Sequence, residues 1–250
     1  AKMLENILSH KKEAPKVIPL YKNWMFRVAA VLVLALGITL AMQNFSTETQ
    51  FASNGKRTTF LLPDNSEVVL NAGSKIEYKK WNWKNNRNLE LKGEAYFKVA
   101  KGQKFEVKTS LGNVTVLGTQ FDVKARKNRF EITCFEGRVK VNYKDKELIL
   151  TKGLSVIFEN GNQINTTSTS LKPEWLENKM AFSKENLPNI IDEIQRQYNV
   201  AISIKSGLSN ELFTGKIPTD NLDIALQIIA TTYNLETKKI DPNTIIFEKK

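Results

Sequence analysis

Groups able to do chemistry are few in this chain of 250 residues, which holds one histidine and one cysteine. His10 precedes a long apolar run near the N-terminus, and Cys134 falls on the apolar face of Phe130-Glu-Ile132-Thr-Cys134, where it reads as a small buried hydrophobe. With one of each, the region after that run can assemble neither a zinc constellation nor a Ser-His or Cys-His nucleophile. It has no glycine-rich phosphate loop. Glu90, Glu94, Glu131 and Glu136 could meet in space as a carboxylate pair, yet acidic residues alternating along strands ordinarily form a solvated face. Neither turnover nor a cofactor or metal is expected. The densest remaining cluster is Lys79-Lys80-Trp81-Asn82-Trp83-Lys84. Trp81, Trp83 and Lys84 could present a binding patch on a strand; the competing reading is a hairpin end with one Trp packed inward.

The elements that would hold these residues follow a run of fifteen uncharged residues, Val28 to Met42. As a helix this run covers about 22 Å at ~1.5 Å per residue, short of a ~30 Å hydrocarbon core. A span over 24–43 therefore has to borrow Trp24, Met25, Phe26 and Gln43, with Arg27 snorkelling toward headgroups. Lysines crowd the preceding flank, whereas Gln43 to Gly55 carries only Glu48, so the N-terminus is expected in the cytoplasm and the bulk outside it. A signal-peptide core and a buried helix are the competing readings. Cys134 alone excludes a disulfide framework. The net charge of +11 invites a nucleic-acid partner. With the basic residues spread along strands and no recognition helix legible, attraction to an anionic membrane or partner explains it better, and no nucleic acid is expected.

After a polar linker at 44–55, strand patterns dominate 56–162: alternating apolar and polar residues with turn signals about every ten residues. They predict an all-β antiparallel sandwich or roll, opening with a hairpin of Thr58–Leu62 and Glu67–Leu70 around Pro63-Asp64-Asn65-Ser66. Leu89–Leu91 and Ala95–Val99 read as separate strands. A second linker is expected at 163–174. Residues 175–250 hold a repeat with an offset of 35: Leu187, Ile190, Ile191, Ile194, Tyr198, Asn199 and Val200 recur as Leu222, Ala225, Leu226, Ile229, Tyr233, Asn234 and Leu235. Each copy reads as β-α-β with an Asn stop, Ser183 capping the first helix and Thr219 or Asp220 the second. The fold expected is thus a single-pass membrane helix, an all-β domain, and a small α+β domain of two β-α-β repeats sharing one sheet.

Four strings in the β region resemble the FecR-like family of anti-sigma factors: Leu62-Pro63-Asp64-Asn65-Ser66-Glu67-Val68-Val69-Leu70-Asn71-Ala72, Gly93-Glu94-Ala95-Tyr96-Phe97-Lys98-Val99, Val116-Leu117-Gly118-Thr119-Gln120-Phe121-Asp122-Val123 and Gly137-Arg138-Val139-Lys140-Val141. Trp175-Leu-Glu-Asn-Lys-Met-Ala-Phe182 and the doubled helix resemble the STN-like C-terminal domain of Bacteroidetes-type members. Asn65 stands where the family usually has Gly, and Lys152 where Pro is common. The family places a helical sigma-binding domain before the anchor, so residues 1–23 look like the remnant of that region.

The resemblance implies an inner-membrane signal relay. The signalling domain of a TonB-dependent outer-membrane receptor, loaded with an iron chelate or glycan, would contact the outer domains, the C-terminal repeat above all. A membrane protease would then release the cytoplasmic segment with its ECF sigma factor. Members of the family are also known to cleave themselves at a Gly-Thr pair, which Gly118-Thr119 would match: the Thr119 hydroxyl could attack a strained Gly118 carbonyl. The plain alternative is a glycine bend between two strands. An anchored envelope protein binding glycan or peptide through Trp81 and Trp83, and a membrane-bound hydrolase using strand carboxylates, are the other functions the residues allow.

Overall fold

The computed structural model describes residues 24–45, 47–205 and 211–250, with side chains described outside 41–45. The segment 1–23, read above as a cytoplasmic remnant, and His10 with it, lie outside the described residues, as does the Met42 side chain. The chain divides into two units, 1–45 and 46–250.

In the first unit, helix α1 (Trp24–Phe45, 22 residues) has no acidic residue in its first turn and no basic residue in its last. The side chains of Trp24, Arg27 and Val28, and of every residue on to Leu40, are exposed. Among the described residues, whose α1 side chains stop at Leu40, no helix is long and apolar enough to cross a membrane.

The second unit begins with a strand where a linker was expected. Thr47–Ala52 forms β1, antiparallel to β4 (Ser74–Lys79). Polar TETQFA lacks an apolar run, but only one of its faces meets the protein, so it needs few apolar residues. The predicted hairpin forms as β2 (Thr58–Leu61) and β3 (Glu67–Leu70), with Asn65 at φ 62°. Asn is the side-chain-bearing residue that enters this region most easily, so it replaces Gly there at little cost.

The organising element is β5 (Arg87–Lys98), a single strand of 12 residues where two were predicted. Its first half pairs with β4 and, in parallel, with β6 (Phe105–Lys108); its second half pairs with β3 and β8 (Gln120–Arg126). The switch falls at Gly93, at φ 110°, where a Cβ would lie 2.5 Å from Ser74 Oγ. Only glycine lets the strand bend this close to β4. Around it run β7 (Asn113–Val116), β9 (Arg129–Glu136), β10 (Arg138–Tyr143), β11 (Lys146–Thr151), β12 (Leu154–Glu159) and β13 (Asn162–Thr167). The order is β11-β10-β7-β6-β5-β8-β9-β12-β13, and all pairings except β5–β6 are antiparallel. β13 occupies the front of the predicted 163–174 linker; it is an edge strand of polar residues paired only to β12.

Phe97, Phe105, Phe121, Phe130 and Phe158 fill the core between the two halves of this bent sheet. Trp83 belongs to it, edge-on to Tyr78 at 5.4 Å and to Phe105 at 6.0 Å. The proposed surface patch therefore loses its central residue: Trp83 is 3% exposed, while Trp81 is 58% exposed and Lys84 is exposed beside it.

The C-terminal repeat keeps its two helices, α2 (Leu187–Tyr198) and α3 (Leu222–Thr232), each followed by an Asn in the left-handed region, Asn199 at φ 53° and Asn234 at φ 51°. The caps differ from those expected: Asn186 Oδ1 accepts from Asn189 N, and Asn221 Oδ1 from Ile224 N. Ser183 lies on β14 and Thr219 in the bend after β16, both ahead of the true helix starts. The repeats share two sheets, not one. Their first strands, β14 (Lys179–Asn186) and β16 (Leu212–Pro218), pair with each other. Their second strands, β15 (Ala201–Ile204) and β17 (Leu235–Asp241), flank β18 (Thr244–Lys249). Ile190, Ile194, Ile217, Leu226, Ile229 and Phe247 close a separate core.

Trp83→Ala should cost about 3–5 kcal/mol of unfolding free energy in a denaturant titration, and Trp81→Ala less than about 0.5 kcal/mol, because only the first opens a cavity. Equal costs would mean that Trp83 is not a core residue.

Candidate functional site

The polar groups that converge most closely lie where the C-terminal domain covers the outer face of β5, β8, β9 and β12. Alternation along β8 sends Phe121 and Val123 inward and Asp122, Lys124 and Arg126 outward. Register then sets their neighbours. Lys124 stands between Glu94 on β5 and Glu131 on β9; Asp122 stands between Tyr96 and Thr133; Arg126 faces Arg129 directly. Opposite charges support the first row, but two arginines facing each other across adjacent strands repel and require carboxylates from elsewhere.

Those carboxylates come from both domains: Glu131 of β9, itself 3.2 Å from Arg129 Nε, and Glu159 from the sheet, Glu193 and Glu185 from the C-terminal repeat. Glu193, beside the apolar stripe of α2 and 3% exposed, lies 3.8 Å from Arg126 Nε, 3.9 Å from Lys124 Nζ and 2.7 Å from Arg196 Nη2. Glu185, at the end of β14, lies 3.2 Å from Arg129 Nε, and Glu159 of β12 lies 2.9 Å from Arg129 Nη1. One helical turn beyond Glu193, Gln197 donates to Asn71 Oδ1 at 2.8 Å and to Glu193 Oε1 at 2.9 Å, while Asn71 donates to Glu94 Oε2 at 2.8 Å. Lys127 pairs with Asp192 at the rim, and Arg57 reaches Asn178 Oδ1 and Thr219 Oγ1.

A short 3-10 helix, Glu174–Glu177, lies in the segment that connects the β domain to the C-terminal repeat. Trp175 packs on Val69, Tyr96 and Phe135, its Nε1 donates to Asp122 Oδ1 at 3.1 Å, and the Arg57 guanidinium lies 5.6 Å from its ring centre. Beside it a cavity of about 300 Å³ is lined by Glu94, Asp122, Lys124, Thr133, Trp175 and Phe182 among others.

Electrostatics divide the buried acids. Burial alone would raise the Glu193 carboxyl, but Lys124, Arg126, Arg196 and the Gln197 hydrogen bond outweigh it and hold the group far below the usual carboxylate range. Asp122 goes the other way: burial, then the charge of Glu94, pushes it well above that range despite the Trp175 hydrogen bond. Burial also raises Glu185 against the pull of Arg129. The face therefore holds an acid on α2 whose ionised form its neighbours favour next to one on β8 whose ionised form burial disfavours, and the arrangement is a charge lock between domains.

The residues picked from sequence are dispersed. Glu94 and Glu131 do come together, but under the second domain and not as a wet face; Glu94 is buried. Glu90 and Glu136 lie elsewhere, Glu90 opposite Glu77 on β4 and Glu136 at the far end of β9. Gly118 and Thr119 form a bend between β7 and β8. Thr119 is buried, its Oγ1 donates to Arg138 O at 3.1 Å and its carbonyl accepts from Val99 N at 3.0 Å. A Cβ on Gly118 would lie 2.7 Å from Lys101 Cα, so the glycine is required by close approach. Cys134 is buried, and burial pushes its thiol up to about 11, consistent with an inert hydrophobe. Among the described residues no group of three or more His, Cys, Asp or Glu could hold a metal ion. Sequence reasoning missed Asp122, Lys124, Arg126, Arg129, Glu185 and Glu193; Glu193 lies off the Leu187, Ile190, Ile191 and Ile194 stripe, so no local signal marked it.

Residues 47–140 match the family model described as FecR protein, and residues 179–247 the one described as FecR, C-terminal. No curated protein matches the chain. Two crystal structures of a protein from Parabacteroides distasonis ATCC 8503, provisionally described as an anti-sigma factor, were determined at 2.50 and 1.65 Å. Each is 23% identical to this chain with a TM-score of 0.74. The first similarity covers 82% of this chain and 100% of the solved one, the second 81% and 99%. At that identity the likeness is one of fold.

Glu193→Gln should destabilise the protein by about 3–5 kcal/mol near neutral pH, since it leaves buried cations without their acid. The wild-type contribution of Glu193 is present above the unfolded carboxylate pKa of about 4.3 and lost as pH falls below it. Asp122 has the opposite sign: its folded pKa is raised, so it removes stability as pH climbs past about 3.9. Asp122→Asn should therefore gain at least about 1 kcal/mol over wild type between about pH 5 and about pH 8, measured by denaturant midpoints. A difference independent of pH would show that Asp122 is ionised in the folded state.

Proposed function

The chain belongs to the FecR protein family, and from that premise we propose that it is a signal-transducing anti-sigma factor of the bacterial inner membrane. In this reading α1 is a single-pass anchor with a cytoplasmic N-terminus. The reading rests on the uncharged run Val28–Met42 and on the basic residues that crowd the flank before it. The β domain and the C-terminal repeat then stand outside the cytoplasm and receive the signalling domain of a TonB-dependent outer-membrane receptor. The region before the anchor addresses an ECF sigma factor, and a membrane protease frees it on signal.

The observation that carries the reading is the chemistry of the contact between the two outer domains. Glu193, Lys124, Arg126, Arg129 and Glu185 meet there, with an apolar contribution mainly from Trp175. Domains joined by charge pairs and one aromatic anchor can part at modest cost and re-form, as a relay needs. The receptor domain would dock on the C-terminal repeat, where β17 is an open sheet edge fit for strand addition. The alternative of a glycan-binding face on Trp81 and Trp83 loses Trp83 to the core.

Capture of outer-membrane proteins on the detergent-solubilised chain should recover one TonB-dependent receptor, and deletion of residues 174–250 should abolish the recovery. Undiminished recovery by the deleted chain would contradict docking on the repeat. Self-cleavage is proposed at Gly118–Thr119: the Thr119 hydroxyl oxygen attacks the Gly118 carbonyl carbon, the C–N bond breaks to leave a free amine on Thr119, and water opens the resulting ester to a Gly118 carboxylate. Intact mass should show two fragments for wild type and one full-length chain for Thr119→Ala; full-length chains in both would remove the step.

A further inference from the structure

The Lys79–Lys84 segment has no role in the relay described above, yet its place in the fold is specific. β1 begins one residue after α1 ends. Its first residue, Thr47, pairs with Lys79, the last residue of β4. The loop Lys80–Asn86 therefore leaves the sheet at the same end at which the chain enters it. Lys80 Nζ lies 3.0 Å from Glu48 Oε1, one residue past that entry.

Two further loops join this end. Arg87 donates to Ala100 O and to Gln103 O, both at 2.8 Å, which ties the 99–104 loop to the start of β5. Gly102 N donates to Leu117 O at 2.9 Å, which adds the bend after β7. The end so assembled exposes two large apolar side chains, Trp81 at 58% and Leu117 at 64%, among the exposed Lys79, Lys80, Lys84 and Lys101. An amphipathic aromatic ringed by lysines is the composition that sits at a membrane–water interface, and anionic headgroups attract each such lysine. The C-terminal domain meets the sheet at the other end. Gly55 N donates to Arg196 O at 2.7 Å, and a Cβ on Gly73 would lie 3.0 Å from Arg196 Cδ, beside the Ala52–Ser74 pair. That pair is five residues, about 17 Å at ~3.4 Å each, from Thr47–Lys79.

We propose that this end of the β domain docks on the anionic surface of the membrane that holds the anchor, with Trp81 and Leu117 in the headgroup layer and Lys79, Lys80, Lys84 and Lys101 on lipid phosphates. The proposal rests on the anchor reading of α1. It gives the outer unit a fixed footing, so that a force on the C-terminal domain is delivered to the lock and not spent in tumbling of the whole unit.

The full chain carrying Trp24→Phe, reconstituted into vesicles of phosphatidylcholine and phosphatidylglycerol brominated in the upper acyl chain, tests it. Trp83 and Trp175 are buried in protein, so lipid quenching reports Trp81. Alkaline carbonate extraction of the same vesicles reports the anchor alone. The expected result is quenched Trp81 emission that is lost in pure phosphatidylcholine and in the Lys79→Gln, Lys80→Gln, Lys84→Gln variant, with the chain retained on extraction throughout. Unquenched emission from a retained chain overturns the docking and leaves the anchor standing. Quenching that survives both the neutral lipid and the triple variant overturns the assignment to anionic headgroups. Release by carbonate overturns the anchor and the docking with it.

Discussion

Arg126 and Arg129 stand directly opposite each other on neighbouring strands, and this repulsion shapes the contact between the β domain and the C-terminal domain. A sheet cannot hold facing guanidinium groups on a covered surface without acids above them. Glu131 and Glu159 of the sheet pair with Arg129, and Glu193 and Glu185 add acids from the C-terminal domain, one from a helix and one from a strand end, so the charge balance of this face is shared between the two domains. Desolvation consumes most of what such pairs gain, which is why the contact specifies an arrangement without welding it. Trp175 adds the apolar contact and, through its hydrogen bond to Asp122, keeps the connecting segment on the sheet.

The β domain serves this arrangement by being bent in one place. β5 runs through both halves of the sheet, and Gly93 lets it turn against Ser74. Its inward side chains, Leu89, Leu91, Ala95 and Phe97, tie both halves to one core, while Glu94 and Tyr96 face the second domain. The contact thus has one continuous core on one side and a small, separately packed core on the other.

How much of this the sequence disclosed depended on whether one residue's neighbours decide its environment. The 35-residue repeat, its Asn stops and the first hairpin are local patterns and were legible. β1 and β13 were read as linkers because TETQFA and NQINTT, lying at edges, need almost no apolar residues. The caps were misplaced because Ser183 and Thr219 precede helices by a usual distance, whereas Asn186 and Asn221 sit at the actual turns. The charge lock was illegible for a different reason. Asp122, Lys124 and Arg126 alternate with apolar residues as on any wet strand face, and only the tertiary fold brings a second domain over them. Glu193 lies beside the apolar stripe of α2 and not in it, so it too reads from sequence as a solvated position.

The central claim is that the contact between the outer domains is the element a receptor moves. It is tested most directly by the distance between spin labels on Lys140→Cys in the β domain and Gln227→Cys in the C-terminal domain, in the full chain, with and without the receptor's signalling domain. One narrow distribution in the free chain and a displaced or broadened one in the complex is the predicted result. The same narrow distribution in both would contradict a relay that works by opening this contact.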